Sequence, residues 1–411
     1  MRILIHTMYY LPEMGSAPIL MDELAGSLAA RGHRVEIITT VPRPPHNRGY
    51  EGKLFVKETR NGFSIKRYPT NFTVHPIGRL IAWTIYTLAT IWNLRTVRRG
   101  DVVFLRLPPL QLGLTGILAR RLRGASVILN VQDIHPDLSI EAGILRNPAA
   151  IRAASAFEKA IYRGHDRIVV ISEGFKKNLR DKGVPDEKIF IIPNWVDTDF
   201  LRSLPKDNPV SRRFGLQDVF TVMYSGTISI SSYETLVRVL EAARFLTNDP
   251  GIRVVIVGEG LKLPDLRARA ESLHLGNVVF LPFQPYADLP GLLASADGLL
   301  VPLDKDKSLL SVPSKLYNFL AAGRPILGLA TESSEVFQII RDAACGLCAP
   351  PDDPVRIAAA VRALKEDPAQ AVKMAANGRR LAENMYSRRS VIDAFEKLMK
   401  SSGAGTGSVG P

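Results

Sequence analysis

Short apolar runs alternate with longer amphipathic stretches along almost all of this chain, and the alternation begins twice. That rhythm marks βαβ units, in which a buried parallel strand is followed by a helix covering the sheet. In the first half Met1–His6 reads as a strand. Ile19–Ala30 reads as a helix with Leu20, Leu24 and Leu28 on one face, closed by Gly32. Further strands are expected at Val35–Thr39, Val102–Leu105, Ser126–Val131, Arg167–Ile171 and Ile189–Ile192. A polar stretch, 201–218, contains Pro205, Lys206, Asp207, Asn208 and Pro209 and reads as a linker. The pattern then resumes with strands Thr221–Tyr224, Arg253–Val257, Val278–Leu281, Gly298–Pro302 and Pro325–Leu329, and helices Tyr233–Phe245, Pro264–Ser272 and Ser314–Ala322. At 411 residues the chain is too long for one ordinary core. Two doubly wound α/β domains are expected, 1–200 and 219–387, with a last helix at 388–400 packing back on the first domain. The small-residue tail 401–411 is expected to lack order.

Hydrophobic content of 46% with 23% charged residues fits a globular protein. The formal net charge of +13 suits an anionic partner. Much of the surplus lies in 79–123, which holds Arg79, Arg95, Arg98, Arg99, Arg106, Arg120, Arg121 and Arg123 against one acid, Asp101. Within it, Leu80–Leu94 carries no charge, yet it is shorter than the roughly 20 residues a bilayer span needs. Trp83, Tyr86 and Trp92 are residue types favoured at lipid headgroups, and arginines flank the segment. Two readings stay open: a helix buried in the core, or peripheral membrane contact through 79–123. Nucleic acid is not expected as a partner, because no interleaving of aromatic and basic residues appears. The first residues enter an apolar strand without the basic and apolar regions of a secretory signal. The expected location is therefore cytoplasmic, peripheral on the inner face of the membrane if that stretch meets lipid. Cys345 and Cys348 form a C-x-x-C with no second pair to complete a zinc site, and read as small buried hydrophobes.

Ligands of open α/β sheets bind at the carboxyl ends of strands, so the loops after strands are the places to look. The loop after Met1–His6 lacks G-x-G-x-x-G but offers Gly15 and Ser16 before a helix. After Ser126–Val131 come Gln132, Asp133, Ile134, His135, Pro136 and Asp137; their polar side chains are either a site or caps for the next helix. In the second half Ser225, Gly226 and Thr227 follow one strand, and Gly258, Glu259 and Gly260 follow the next. The strongest local feature is Ser311–Pro325, SVPSKLYNFLAAGRP. Pro313 and Ser314 open a helix where free N–H groups, the helix dipole and Lys315 suit a diphosphate, with Asn318 on the same face. Leu316, Phe319 and Leu320 read as core. Asp304, Lys305 and Asp306 form a D-x-D, but Lys305 and Lys307 dilute the charge that a divalent ion wants, and no metal is expected.

On these residues the chain resembles retaining glycosyltransferase family 4 of the GT-B fold, and more narrowly the bacterial O-antigen, capsule and colanic-acid type, similar to fucosamine transferases. The matching pieces are Ile168–Ser172, Ile192–Asp197, the turns at Gly226 and Gly258, Phe280–Tyr286 and, most specifically, Pro313–Pro325. The resemblance implies two Rossmann-like domains facing across a cleft, the second binding a nucleotide-sugar and the first an acceptor. Lys315 would meet the diphosphate, Asn318 the ribose, and the backbone near Gln284 the base; Gly226, Thr227, Gly258, Glu259 and Ser314 would line the donor. Asp133 and Gln132 stand where many relatives place a histidine near the sugar, and with Lys315 are the catalytic candidates. Gly15, Ser16 and His135 would contact the acceptor. The implied reaction moves a hexosyl or N-acetylhexosaminyl group from a UDP-sugar to a lipid-linked or other saccharide, with retention of configuration and without a metal or other cofactor.

Three departures from the family pattern stand out. The paired glutamates, E-x7-E, fall on Leu310 and Asn318. The Arg and Lys that follow the first glycine turn are replaced by Thr227 and by Ser231–Ser232. The histidine near Gln132 and Asp133 is missing. These losses leave two alternatives beside the transferase: a non-catalytic nucleotide-sugar-binding or assembly subunit, and a nucleotide-sugar epimerase of the same fold.

Overall fold

The computed structural model describes the chain apart from Met14, Leu54, 71–75, Ala142, 304–311 and 402–411. It divides into two compact units: Met1–Pro193 together with the chain from Val391, and Asn194–Ser390.

The first unit is an eight-stranded sheet. Its strands are β1 (Arg2–His6), β2 (Arg34–Thr40), β3 (Val56–Arg60), β4 (Phe63–Tyr68), β5 (Val102–Leu107), β6 (Ser126–Val131), β7 (Ile168–Val170) and β8 (Ile189–Ile191). They lie in the order β3-β4-β2-β1-β5-β6-β7-β8. Only β3 runs antiparallel, against β4. Ile3, Leu4, Ile5, Phe104, Leu105, Ile128 and Leu129 are fully buried, as strands covered on both faces must be. Helix α1 (Ser16–Ala30) leads from β1 to β2 on one side, while α3 (Leu112–Arg123) leads from β5 to β6 on the other. Right-handed crossovers therefore place these helices on opposite faces. Between β1 and β5 the winding reverses, and that switch point is where such a sheet opens a crevice at its carboxyl edge.

The hairpin β3–β4 has no counterpart in the sequence expectations. β3 reads VKETR and is mostly exposed, so no apolar alternation betrays it; in β4 Phe63, Ile65 and Arg67 turn inward, and the charge at Arg67 breaks the apolar pattern. Helix α2 (Pro76–Asn93) resolves the two open readings in a way neither foresaw. One face is core: Ala82, Tyr86, Thr87, Thr90 and Asn93 are buried, Tyr86 donates to the Ile38 carbonyl at 2.7 Å, and Thr90 bonds Thr115 of α3 at 2.7 Å. The other face exposes Ile77, Leu80, Ile81, Ile85, Leu88 and Trp92 at helical spacing. Tyr86, expected at the lipid surface, is thus a core residue. No helix among the described residues is long and apolar enough to cross a membrane.

The second unit is a six-stranded, wholly parallel sheet. It comprises β9 (Phe220–Ser225), β10 (Ile252–Val257), β11 (Val278–Leu281), β12 (Gly298–Pro302), β13 (Ile326–Leu329) and β14 (Gly346–Ala349) in the order β11-β10-β9-β12-β13-β14. Its switch point lies between β9 and β12. Cys345 is buried before β14 and Cys348 lies on it, both as free thiols. Burial pushes both up to about 12.

The stretch 201–218 belongs to this second unit, and the unit boundary falls at Pro193. Its polar side chains are used locally. Asn208 caps the short helix Pro209–Arg213 in a capping box, and Lys206 donates to the Val219 carbonyl at 2.6 Å and pairs with Asp297. Arg379 donates to the Leu201 carbonyl at 2.6 Å, and Arg324 to that of Leu204 at 2.9 Å. A polar, proline-rich segment looks like a linker until the donors that hold it are known. The last helix, Arg388–Ser401, is shared between the units: Arg388 pairs with Asp197 in the second, while Phe395 and Glu396 join the first.

Candidate functional site

In the second unit the loops at the switch point bring together four of the expected residues. Gly226 follows β9 at φ 155°, and its turn is stitched to the next: Gly226 N–H donates to Val257 at 3.0 Å and Ile228 N–H to Glu259 at 2.8 Å. A Cβ on Gly258 would lie 2.0 Å from the Gly226 carbonyl oxygen. Gly258 thus serves the close approach of two turns, whereas Gly226 is bare toward Lys315, whose Nζ would lie 2.7 Å from a Cβ there. Thr227 and Glu259 are exposed at the rim of these turns.

Lys315 begins the helix Lys315–Ala321, and its Nζ stands 4.0 Å from the ring centroid of the buried Tyr224. No carboxylate among the described residues pairs with it. Burial alone pulls its ammonium down to about 7. A cation held over an aromatic face with a bare glycine beside it has the charge and the backbone access that an anion requires. Ser314 is exposed at the start of this helix and makes no side-chain cap, and Asn318 is half-buried one turn on. Leu316, Phe319 and Leu320 are buried, as expected, and so is Tyr317, which packs edge-on against Tyr386 at 4.8 Å. Gln284 sits further round the edge after β11, its amide on the Pro282 carbonyl at 2.9 Å. Asp304, Lys305, Asp306, Lys307 and Leu310 lie outside the described residues.

In the first unit the carboxyl edge carries the other candidates. Gly15, at φ 137°, precedes α1, which begins at Ser16, three residues earlier than the apolar periodicity suggested; both residues are exposed. Gln132 is buried and donates to Asn130 Oδ1 at 2.7 Å, while Asp133 is exposed. His135 Nδ1 lies 3.1 Å from Ser139 Oγ, and burial lowers its pKa although Asp133 opposes this. Asp137 is structural: Asn178 and Lys182 donate to it at 2.8 and 2.9 Å, and Lys182 also reaches the buried Glu158 at 2.7 Å. Two buried bases at this edge escaped the sequence reading. His6 is fully enclosed with neither ring nitrogen partnered, and burial drives it down to about 3. Arg106, counted only as one of the arginines of 79–123, is buried near the end of β5. The signal was a lone charge inside the apolar run VVFLRL, which a count of arginines conceals. Two motifs of the resemblance do structural work: Ser172 caps the next helix through the Phe175 N–H at 3.3 Å, and Trp195 and Val196 are core.

Comparison with known proteins decides the family. A model described as "Glycosyl transferase 4-like domain" matches 19–195, and one described as "Glycosyl transferases group 1" matches 217–381. The chain belongs to glycosyltransferase family 4. Among curated proteins it is 27% identical over 384 residues to Escherichia coli (strain K12) WcaI, a glycosyl transferase named for colanic acid biosynthesis, covering 88% of this chain and 91% of that one. Among solved structures, sucrose-phosphate synthase from Thermosynechococcus elongatus superposes with a TM-score of 0.75 at 17% identity, covering 98% of this chain and 100% of that one. Anabaena HepE, solved with UDP and glucose, gives 0.71 at 15% identity, with 97% and 99% covered. The two Rossmann-like domains are those of a GT-B glycosyltransferase. Of the readings left open by the sequence, this family 4 protein is the transferase enzyme.

Proposed function

We propose that this family 4 enzyme transfers a sugar, with retention of configuration, from a UDP-sugar to a lipid-linked saccharide during cell-surface polysaccharide synthesis. The observation that carries the reading is Lys315, an ammonium without a carboxylate partner among the described residues, held between the Tyr224 ring and Gly226 at the second domain's switch point. A departing diphosphate is the anion whose charge grows in the transition state, so a preorganised cation there lowers the barrier. The Lys315 charge and the backbone N–H groups meet the diphosphate, so chelation of metals should leave turnover unchanged. The UDP complex of HepE and the name of WcaI favour uridine and a polysaccharide pathway. Asn318 and Gln284 address ribose and base, and Gly15, Ser16, Gln132, Asp133 and His135 address the acceptor. Metal-free calorimetry with UDP, GDP, ADP and their sugar conjugates tests this: specific binding of one diphosphate is expected, and no binding by folded protein refutes it.

The acceptor's lipid is met at the membrane surface by the exposed face of α2. Its apolar stripe is bracketed by cations, with Arg79 over Trp83 at 5.4 Å and Arg95 over Trp92 at 4.1 Å. Apolar side chains below and guanidinium groups beside them fit an anionic bilayer. Flotation with vesicles containing anionic lipid at low salt should carry the protein upward; complete retention in the aqueous phase removes this part of the reading.

A further inference from the structure

Arg106 is the last but one residue of β5, beside Asn130 of β6 in the strand register. Side chains alternate along a strand, so it shares the sheet face of Phe104, which meets Phe395 at 5.5 Å between ring centroids. Only 8% of the residue is exposed. Yet it makes no hydrogen bond or ion pair with any described residue, and its Nε is enclosed without a partner. The other buried arginine among the described residues is engaged: Arg67 bonds Glu58 at 2.5 Å and the Leu11 carbonyl at 2.6 Å. Asn130, its neighbour across the ladder, has its Oδ1 occupied, accepting from Gln132 at 2.7 Å. Asp133 and the Tyr9 hydroxyl support the charge from a distance against its burial, which lowers it to about 10.

A buried, unpaired charge is costly and is seldom kept without a ligand. The place is also distinctive. β5 is one of the two strands at the first domain's switch point, Tyr9 follows the other, and Asp133 follows β6. Resting on the reading that the first domain holds the acceptor, we infer that Arg106 forms an anion subsite there and grips a phosphate group of the acceptor. A guanidinium fork matches two phosphate oxygens, and the exposed Asp133 beside it can accept from sugar hydroxyls. The phosphate belongs either to a soluble sugar phosphate or to a prenyl diphosphate carrier.

The test uses the full chain with Lys315→Met, which removes the donor's cation, and calorimetric titration with inorganic pyrophosphate. Binding should persist in that background, weaken at least about tenfold in Arg106→Gln, and fall less in Arg106→Lys, which keeps the charge but not the fork. Equal binding by the Arg106→Gln protein overturns the subsite. UDP-sugar titration of the single variant Arg106→Gln reports whether it folds; if it does not, Arg106→Lys decides, since unchanged pyrophosphate affinity there also overturns the subsite. Glucose 1-phosphate and geranyl diphosphate distinguish the sources: tighter binding of the prenyl compound assigns the lipid carrier, and equal binding assigns the soluble one. Loss of UDP binding by the unmodified protein, with Arg106-dependent pyrophosphate binding intact, would refute the donor reading alone.

Discussion

Replacing Lys315 by Met should make the free protein more stable and the donor complex weaker, and these opposite signs are diagnostic. Methionine keeps the length and apolar stem that pack over Tyr224 while removing the charge. Burial lowers the ammonium from its ordinary 10.5 to about 7. At about 1.4 kcal/mol per tenfold, that gap corresponds to at most ~5 kcal/mol; because the side chain is partly open to water, about 2 kcal/mol is the expected gain. The sign follows from proton counts: between pH 7 and 10.5 the unfolded chain holds the Lys315 proton that the folded chain tends to release. The penalty is therefore full below about pH 7 and is relieved as pH rises toward 10.5, so the two proteins should converge in stability at alkaline pH. Urea unfolding at pH 6.5 and 9.5 measures this. Without the cation the departing diphosphate loses about 3 kcal/mol of stabilisation, roughly a hundredfold in kcat/KM. A variant that is less stable at pH 6.5 and turns over normally would refute the reasoning, because Lys315 would then be a packing residue.

Three further outcomes follow from the structure. Leu80→Glu combined with Leu88→Glu should abolish flotation with anionic vesicles yet change stability by no more than about 0.5 kcal/mol, because 53% and 60% of these residues are exposed; a large loss of stability would show that the face is packed. Gly258→Ala places a Cβ 2.0 Å from the Gly226 carbonyl oxygen, and should cost about 1–3 kcal/mol in urea unfolding and separate the two glycine turns; wild-type stability would contradict the close approach. Cys345 and Cys348, both pushed up to about 12, should react slowly with a thiol reagent at pH 8 in the folded protein and fast after unfolding, so rapid native labelling would contradict their burial.

How much was legible beforehand follows the range of the forces involved. Strand and helix periodicity, the Lys315–Ala321 helix with its buried Leu316, Phe319 and Leu320, and the restart of the alternation are local, written in spacing and in end-capping residues. They are what a one-dimensional reading can recover. The polar segment 201–218 misled because Lys206, Asn208 and the carbonyls of Leu201 and Leu204 find partners at Asp297, Gly291, Arg379 and Arg324, distant in sequence. The fifteen uncharged residues of 80–94 could not reveal which side faces the core, since Tyr86 and Leu88 are equally apolar by type and only neighbours on β2 and α3 separate them.

The sequence by itself determined two doubly wound sheets and the loops after their strands, because the burial of alternating segments depends on side chains a few positions apart. Only the tertiary structure decided that Lys315 lies over Tyr224 beside Gly226, and that Arg106, one arginine among eight in its stretch, is enclosed without a partner among the described residues at a switch point. Burial and pairing of a charge depend on strands brought together by the fold, and strand order is a property of the whole sheet.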